Sequence, residues 1–183
     1  MVSTWLGAIF ARDLRALRRN KSHRDRVVGA SERLPFEDRS FDLVTSAWVF
    51  EHLDDPEQTA RELARLLRPG GHLVFLTPNS WNYNAWLIRA VPDGLHDFFT
   101  RRLYGREEFD TYRVRYRLNS ARRVESVLTA AGFRRGQLLL NGDPTYLAFN
   151  RPLFALGRAI ERALDVGPLQ RARVHLLGVY EKV

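Results

Sequence analysis

The sequence predicts a layered α/β domain on a mostly parallel sheet, and three observations carry that expectation. Apolar runs of strand length occupy residues 41–46 and 72–77, and a segment of helical spacing separates them. The second run is nearly all apolar, as a strand covered on both faces should be. Downstream the same alternation returns, with a helical segment from Asn119 to Ala131 followed by a strand-like run at 137–140. Taken in order, Val27, Val28 and Gly29 read as a short strand, and residues 41–46 as a buried one introduced by the polar turn 37–40. Asp55, Pro56 and Glu57 open a helix: Asp55 is the N-cap, Pro56 takes the first helical position and Glu57 lies near the positive end of the dipole. Its apolar face is Ala60, Leu63, Ala64, Leu66 and Leu67, and Pro69, Gly70 and Gly71 are expected to stop it before the strand at His72. Asn119 and Ser120 cap the next helix, which buries Val124, Val127, Leu128 and Ala131 and ends at Gly132. A helix around 153–164 and a last strand at 174–180 complete the alternation.

A chain of 183 residues fits one domain with a full core, so residues 1–183 are read as a single unit. Hydrophobic residues at 45% and charged ones at 27% exclude a disordered or collagen-like chain. The absence of cysteine removes disulfides, thiolate nucleophiles and Cys-ligated metals, and fits a cytoplasmic setting. No apolar run approaches the roughly 20 residues of a membrane span. The net charge is +8, and only Lys21 and Lys182 among the 29 basic residues are lysines. The arginines are spread along the chain with acids interleaved, which argues against a nucleic-acid partner.

Between Val27 and Asn79 the elements follow a specific order. Residues 27–36 run from the short strand through Ala30, Ser31 and Leu34 to Pro35 and Phe36; the strand from Phe41 follows; then come Val49, Phe50, Glu51, His52 and Leu53; last come Leu67, Arg68, Pro69, Gly70 and Gly71. This arrangement resembles the class I S-adenosylmethionine-dependent methyltransferases that act on small molecules. The segments 77–83 and 115–119 are similar to one bacterial branch of that group. The resemblance implies a Rossmann-like sheet with helices on both faces, a last strand antiparallel to its neighbours, and S-adenosyl-L-methionine as cofactor. It also implies a glycine-rich loop after a first strand, and the sequence before Val27 holds no such Gly-x-Gly segment. The expectation is therefore an N-terminally incomplete, truncated domain with an atypical segment 1–26. Either residues 2–10 fill the empty slot beside the Phe41 strand, or an exposed sheet edge promotes self-association. Residues 5–10 read alternatively as the family's second strand, with Asp13 (or, in an adjacent alignment, Arg12) near the ribose, or as an amphipathic helix burying Leu6, Phe10, Leu14 and Leu17.

The remaining site follows from the same resemblance. Ser31 and Leu34, with Phe36 beside them, fall where the adenine is held, Ala30 standing where the family usually has an acid. Ser46, Ala47 and Trp48 end the strand beside the sulfonium, unless Trp48 is core. Methyl transfer needs positioning and desolvation, and a base only where the acceptor loses a proton. Glu51 and His52, just past a strand's carboxyl end, are the catalytic candidates. Asn79, Trp81, Tyr83 and His96 are candidates for binding the acceptor, and the aromatic segment 92–118 suits a lid. The function expected is transfer of a methyl group to a small organic acceptor. The alternative is a non-catalytic methyltransferase-like scaffold or interaction protein.

Overall fold

A computed structural model of the chain describes the backbone of residues 5–8 and the whole of residues 30–83, 114–148 and 150–183. Among the described residues five strands form one sheet: β1 (Trp5–Ala8), β2 (Phe41–Ala47), β3 (Leu67–Pro78), β4 (Phe133–Asn141) and β5 (His175–Lys182), in the order β1-β2-β3-β5-β4. β1, β2 and β3 pair in parallel, whereas β5 is antiparallel to both β3 and β4. Four strands therefore run one way and the last runs against them, as the resemblance implied. Among the described residues three α-helices accompany the sheet: α1 (Pro56–Leu66), α2 (Ala121–Ala130) and α3 (Arg151–Ala163). Among the described residues no helix is long and apolar enough to cross a membrane.

Local chemistry explains the element boundaries. The Asp55 carboxylate accepts from Gln58 N at 2.9 Å and starts α1, and Ser120 Oγ accepts from Arg123 N at 3.3 Å at the start of α2. Ala60, Leu63, Ala64 and Leu66 are buried as the helical spacing required. Leu67 is buried too, but as the first residue of β3. The expected stop at Pro69, Gly70 and Gly71 is thus corrected: α1 ends at Leu66, and the Pro-Gly-Gly stretch lies inside an irregular β3 that shifts register against β2 between Phe41 and Leu43. A Cβ on Gly71 would stand 2.9 Å from Arg68 O and 3.1 Å from Asp42 O, so the strands approach there only without a side chain.

The N-terminus brings the larger correction. Trp5–Ala8 is a strand, not a helix, and it lies directly beside β2, with Trp5 opposite Leu43 and Ala8 opposite Ser46. That is the slot the resemblance reserves for the family's first strand rather than its second, and it is filled. Asp13, Arg12, His96, the strand at 27–29 and residues 92–113 of the expected lid lie outside the described residues.

The core is built around aromatic contacts across β3. Phe50 stacks on Phe75 with ring centroids 4.8 Å apart, and Tyr180 of β5 tilts against the same Phe75 at 6.0 Å. Gly178 gives Phe75 its place, since a Cβ there would meet the ring carbons at 2.3 Å. Tyr180 is fully buried, and its hydroxyl donates to the Glu125 carboxylate of α2 at 2.8 Å, which ties the sheet to that helix.

Candidate functional site

In an open α/β sheet the ligand edge is where the parallel strands end. The register puts the carboxyl ends of β2, β3 and β4 on one edge together with the start of β5, because His175 faces both Pro78 and Asn141. Trp48 leaves β2 with a left-handed backbone (φ 58°), its N–H held by Leu76 O at 2.9 Å. An L-residue with a bulky side chain seldom adopts that conformation. The turn sets the indole outward: Trp48 is 43% exposed, which corrects the alternative that it is core. Ser46 is buried, Ala47 exposed, and both lie at the same strand end.

Glu51 and His52 follow on a short 3-10 turn, Phe50–His52, immediately past β2. The Glu51 side chain is buried, and the Thr77 hydroxyl donates to its Oε2 at 3.1 Å. Asn119 Nδ2 donates in turn to Thr77 Oγ1 at 2.7 Å and to Pro78 O at 3.0 Å. Above them, Arg115 N and Tyr116 N donate to Glu51 O at 2.6 and 3.1 Å. The segment 115–119 is therefore a strap that fastens the Glu51 turn to the end of β3. Burial pushes the Glu51 carboxyl above its ordinary range, against the smaller lowering effects of its backbone and Thr77 hydrogen bonds and of His52. His52 Nε2 stands 4.0 Å from Glu51 Oε1, with its side chain 16% exposed. A buried carboxyl whose burial disfavours its charge, fixed by the Thr77 hydroxyl, suits orienting His52 better than removing a proton itself.

The loop at 30–36 is clamped along α1. The Ser31 and Thr59 hydroxyls are 3.3 Å apart, Leu34 N donates to Glu62 Oε1 at 2.7 Å, and Arg65 donates to Phe36 O at 2.9 Å and Leu34 O at 3.2 Å. Ser31 thus lies by the first turn of α1, on the ligand edge, whereas Phe36 reaches the other end and packs edge-on against Phe41 at 5.2 Å. Phe36 is at the amino end of β2 and does not wall a ligand at the carboxyl end. Neither atom of the Leu34 peptide is available to a cofactor, so its contribution is an apolar, half-buried side chain. The described residues that fit S-adenosyl-L-methionine are Ser31 and Leu34 on one side and Ser46, Ala47 and Trp48 at the strand end.

Asn79 and its neighbours hold the other border. Asn79 is buried; its amide donates to Arg171 O and Arg173 O, both at 2.8 Å, and its Oδ1 accepts from Trp81 N at 3.1 Å. Those bonds occupy it with fixing the approach to β5. Trp81 is 62% exposed and Tyr83 buried. Sequence reasoning placed Thr77 and Asn119 in family-like segments without a site role, and it missed Tyr146 and His175. His175 is buried, with the edge of Trp48 against its ring at 5.0 Å and the Tyr146 hydroxyl 3.3 Å from its Nε2. Burial holds its imidazole below the ordinary range, while Asp143 and Glu161 pull the other way. A groove of about 420 Å³ beside the first turn of α1 is lined by Asp54, Asp55, Pro56, Glu57, Arg117 and Arg123. Arg123 pairs with Glu57, Arg117 donates to the Asp54 backbone carbonyl, and the Asp54 carboxylate pairs with Arg115 at 2.8 Å.

Residues 8–75 match the family model described as a methyltransferase domain. Among solved structures, an S-adenosylmethionine-dependent methyltransferase from Listeria monocytogenes superposes with a TM-score of 0.60 at 12% identity, over 99% of this chain and 80% of that one. Geranyl diphosphate C-methyltransferase from Streptomyces coelicolor, in complex with S-adenosyl-L-homocysteine, gives 0.52 at 12% identity, over 86% and 52%. Residues 8–75 thus carry the sequence pattern of a methyltransferase domain, and the chain shares its fold with solved class I methyltransferases. It is similar to demethylmenaquinone methyltransferase of Mycolicibacterium paratuberculosis, 40% identical over 74 residues, 37% of this chain and 32% of that protein. It is also similar to ubiquinone biosynthesis O-methyltransferase of Photorhabdus laumondii, 35% identical over 80 residues, 39% and 32%. The chain spans about a third of the length of these curated relatives.

Proposed function

We propose that the chain transfers a methyl group from S-adenosyl-L-methionine to a small, ring-bearing organic acceptor of the quinone-precursor kind, in the cytosol. The observation that carries this reading is the ligand edge itself. β2 ends in an exposed Ala47 and an outward Trp48, and Glu51 and His52 follow at once, in the order that the methyltransferase-domain match spans. The relatives that share this stretch bear the names of quinone-pathway methyltransferases, which supports the acceptor class.

The cofactor supplies an electrophilic methyl on a sulfonium, whose positive charge is lost in the transfer. What the chain contributes is position and a dry setting. Trp48, held in a strained conformation, borders the place of transfer, and buried Ser46 and Thr77 keep the strand ends closed to water. Glu51, fixed by Thr77 and the strap, orients His52. Ser31 and the Leu34 side chain border the cofactor on the α1 side.

Calorimetric titration with S-adenosyl-L-methionine and S-adenosyl-L-homocysteine tests the reading. Binding of both at micromolar to millimolar levels is the expected result. Binding of neither, by a chain whose circular dichroism shows it folded, would leave the scaffold alternative standing.

A further inference from the structure

The opposite flank of the ligand edge holds a cluster that the sequence pattern did not touch. β5 begins at His175, wedged between the ends of β3 and β4. Two rings from other segments pack against its ring, and two acids act on it through space. Trp48, from the end of β2, meets it edge-on at 5.0 Å and 81°. Tyr146, on the 3-10 turn Pro144–Leu147, lies with its ring centroid at 5.7 Å and its hydroxyl 3.3 Å from Nε2. Asp143 and Glu161 act on it electrostatically from the turn's cap and from α3. Glu161 is itself buried; its Oε1 accepts from Asp143 N at 3.0 Å, while Oε2 has no hydrogen-bond partner among the described residues. Nearby, Arg173 turns its guanidinium to Leu140 O and Asp165, so it does not neutralise those acids.

We propose that Trp48, Tyr146 and His175 form the acceptor subsite, and that it takes a planar aromatic alcohol, a phenol or quinol, whose hydroxyl proton leaves through Tyr146 to His175. This rests on the methyltransferase reading and deepens it. The exposed indole of Trp48 is a stacking surface for a flat ring. Tyr146 is half-buried, and its hydroxyl stands 3.3 Å from Nε2 of the buried imidazole. Because burial disfavours the imidazolium, His175 is neutral near pH 7 and accepts a proton, and the carboxylates of Asp143 and Glu161 steady the cation once it forms. The step balances. The acceptor O–H proton passes to Tyr146 Oη as the Tyr146 proton passes to His175 Nε2; the acceptor oxygen bonds to the methyl carbon as the carbon–sulfur bond breaks and leaves its pair on sulfur. Tyr146 is the catalytic residue of this subsite, His175 acts through it, and Trp48 positions the ring.

The experiment uses the full chain with 2-naphthol as probe, by calorimetry with and without S-adenosyl-L-homocysteine. Wild type is expected to bind 2-naphthol, and Trp48→Ala to weaken that binding by about fivefold. Methyl transfer to 2-naphthol should fall by about a hundredfold in kcat in both Tyr146→Phe and His175→Gln, with little change in KM and with loss of the acid limb of the kcat profile in His175→Gln. Nitrogen-15 spectra of histidine-labelled wild type give a readout that needs no variant to fold: one imidazole titrates below the ordinary histidine range and shifts when 2-naphthol is added. Absent naphthol binding, unchanged binding in Trp48→Ala, no imidazole shift, or a bound but unmethylated naphthol would each overturn the proposal. If S-adenosyl-L-homocysteine does not bind, the cofactor reading fails, and the naphthol and imidazole measurements alone decide the subsite.

Discussion

Glu51 is a carboxyl group whose surroundings favour its neutral form, and that has a measurable sign. A raised folded-state pKa means that the stability contributed by the protonated group is present below its ordinary value of 4.5 and is lost as pH rises through the raised value. Glu51→Gln keeps an oxygen to accept from Thr77 and removes the ionisation. In urea denaturation it is expected to match wild type near pH 4 and to exceed it at pH 8 by on the order of 1 kcal/mol. An advantage that does not grow with pH would contradict the assignment. Asn119 is the other end of the same chain of hydrogen bonds, and Asn119→Ala removes the amide donor to both the buried Thr77 hydroxyl, which keeps its bond to Glu51, and the Pro78 carbonyl. A loss of about 2 kcal/mol, or some 4 to 8 °C in Tm for a chain of this size, is expected by differential scanning calorimetry. The residue type at Glu51 and His52 was readable because both stand just past an obvious strand. Asn119 was visible only as part of a familiar string, since nothing local shows that an asparagine before a helix reaches back 42 residues to a threonine.

At the scale of elements, α1 and the loop beside it behave as one piece. Glu62 is buried, accepts from Leu34 N and Arg65, and is held below the ordinary carboxylate range, chiefly by the Arg65 hydrogen bond. Glu62→Ala should cost about 1 to 3 kcal/mol and remove protection of the Leu34 amide in hydrogen exchange. Intact protection would show that the loop is held by packing alone. In β5, Gly178→Ala pushes a methyl into Phe75 and is expected to destabilise by about 2 to 4 kcal/mol through the displaced aromatic stack. The caps, the apolar face of α1 and the strand at Phe41 were legible because they follow from spacing within a few residues. The end of α1 was not: Pro69, Gly70 and Gly71 look like a stop in any local reading, yet pairing with β2 draws them into β3.

Across the whole molecule, the order of the sheet decides which surfaces the chain must keep covered. β1 pairs with β2 over four residues and is the outermost strand on that side among the described residues. Deleting residues 1–8 uncovers the ladder edge of β2, whose Phe41 and Val44 are buried. Light scattering should then report dimers or larger species, and a stable monomer would show that β1 adds little. The topology beyond Phe41 was readable through resemblance. The position of β1 and the meeting of Trp48, Tyr146 and His175 were not, because residues 48, 146 and 175 come together only through non-local register, which periodicity does not encode.

The place of β5 between β3 and β4 also sets a timetable for synthesis. β4 finds its ladder partner only in β5, which the ribosome makes more than thirty residues later. Until then the parallel β1–β2–β3 block and the α2–β4 hairpin exist as two pieces with open backbone edges. Insertion of β5 joins them and at the same moment brings His175 to Trp48. Until β5 is made, the edge of β3 that faces away from β2 has no ladder partner among the described residues.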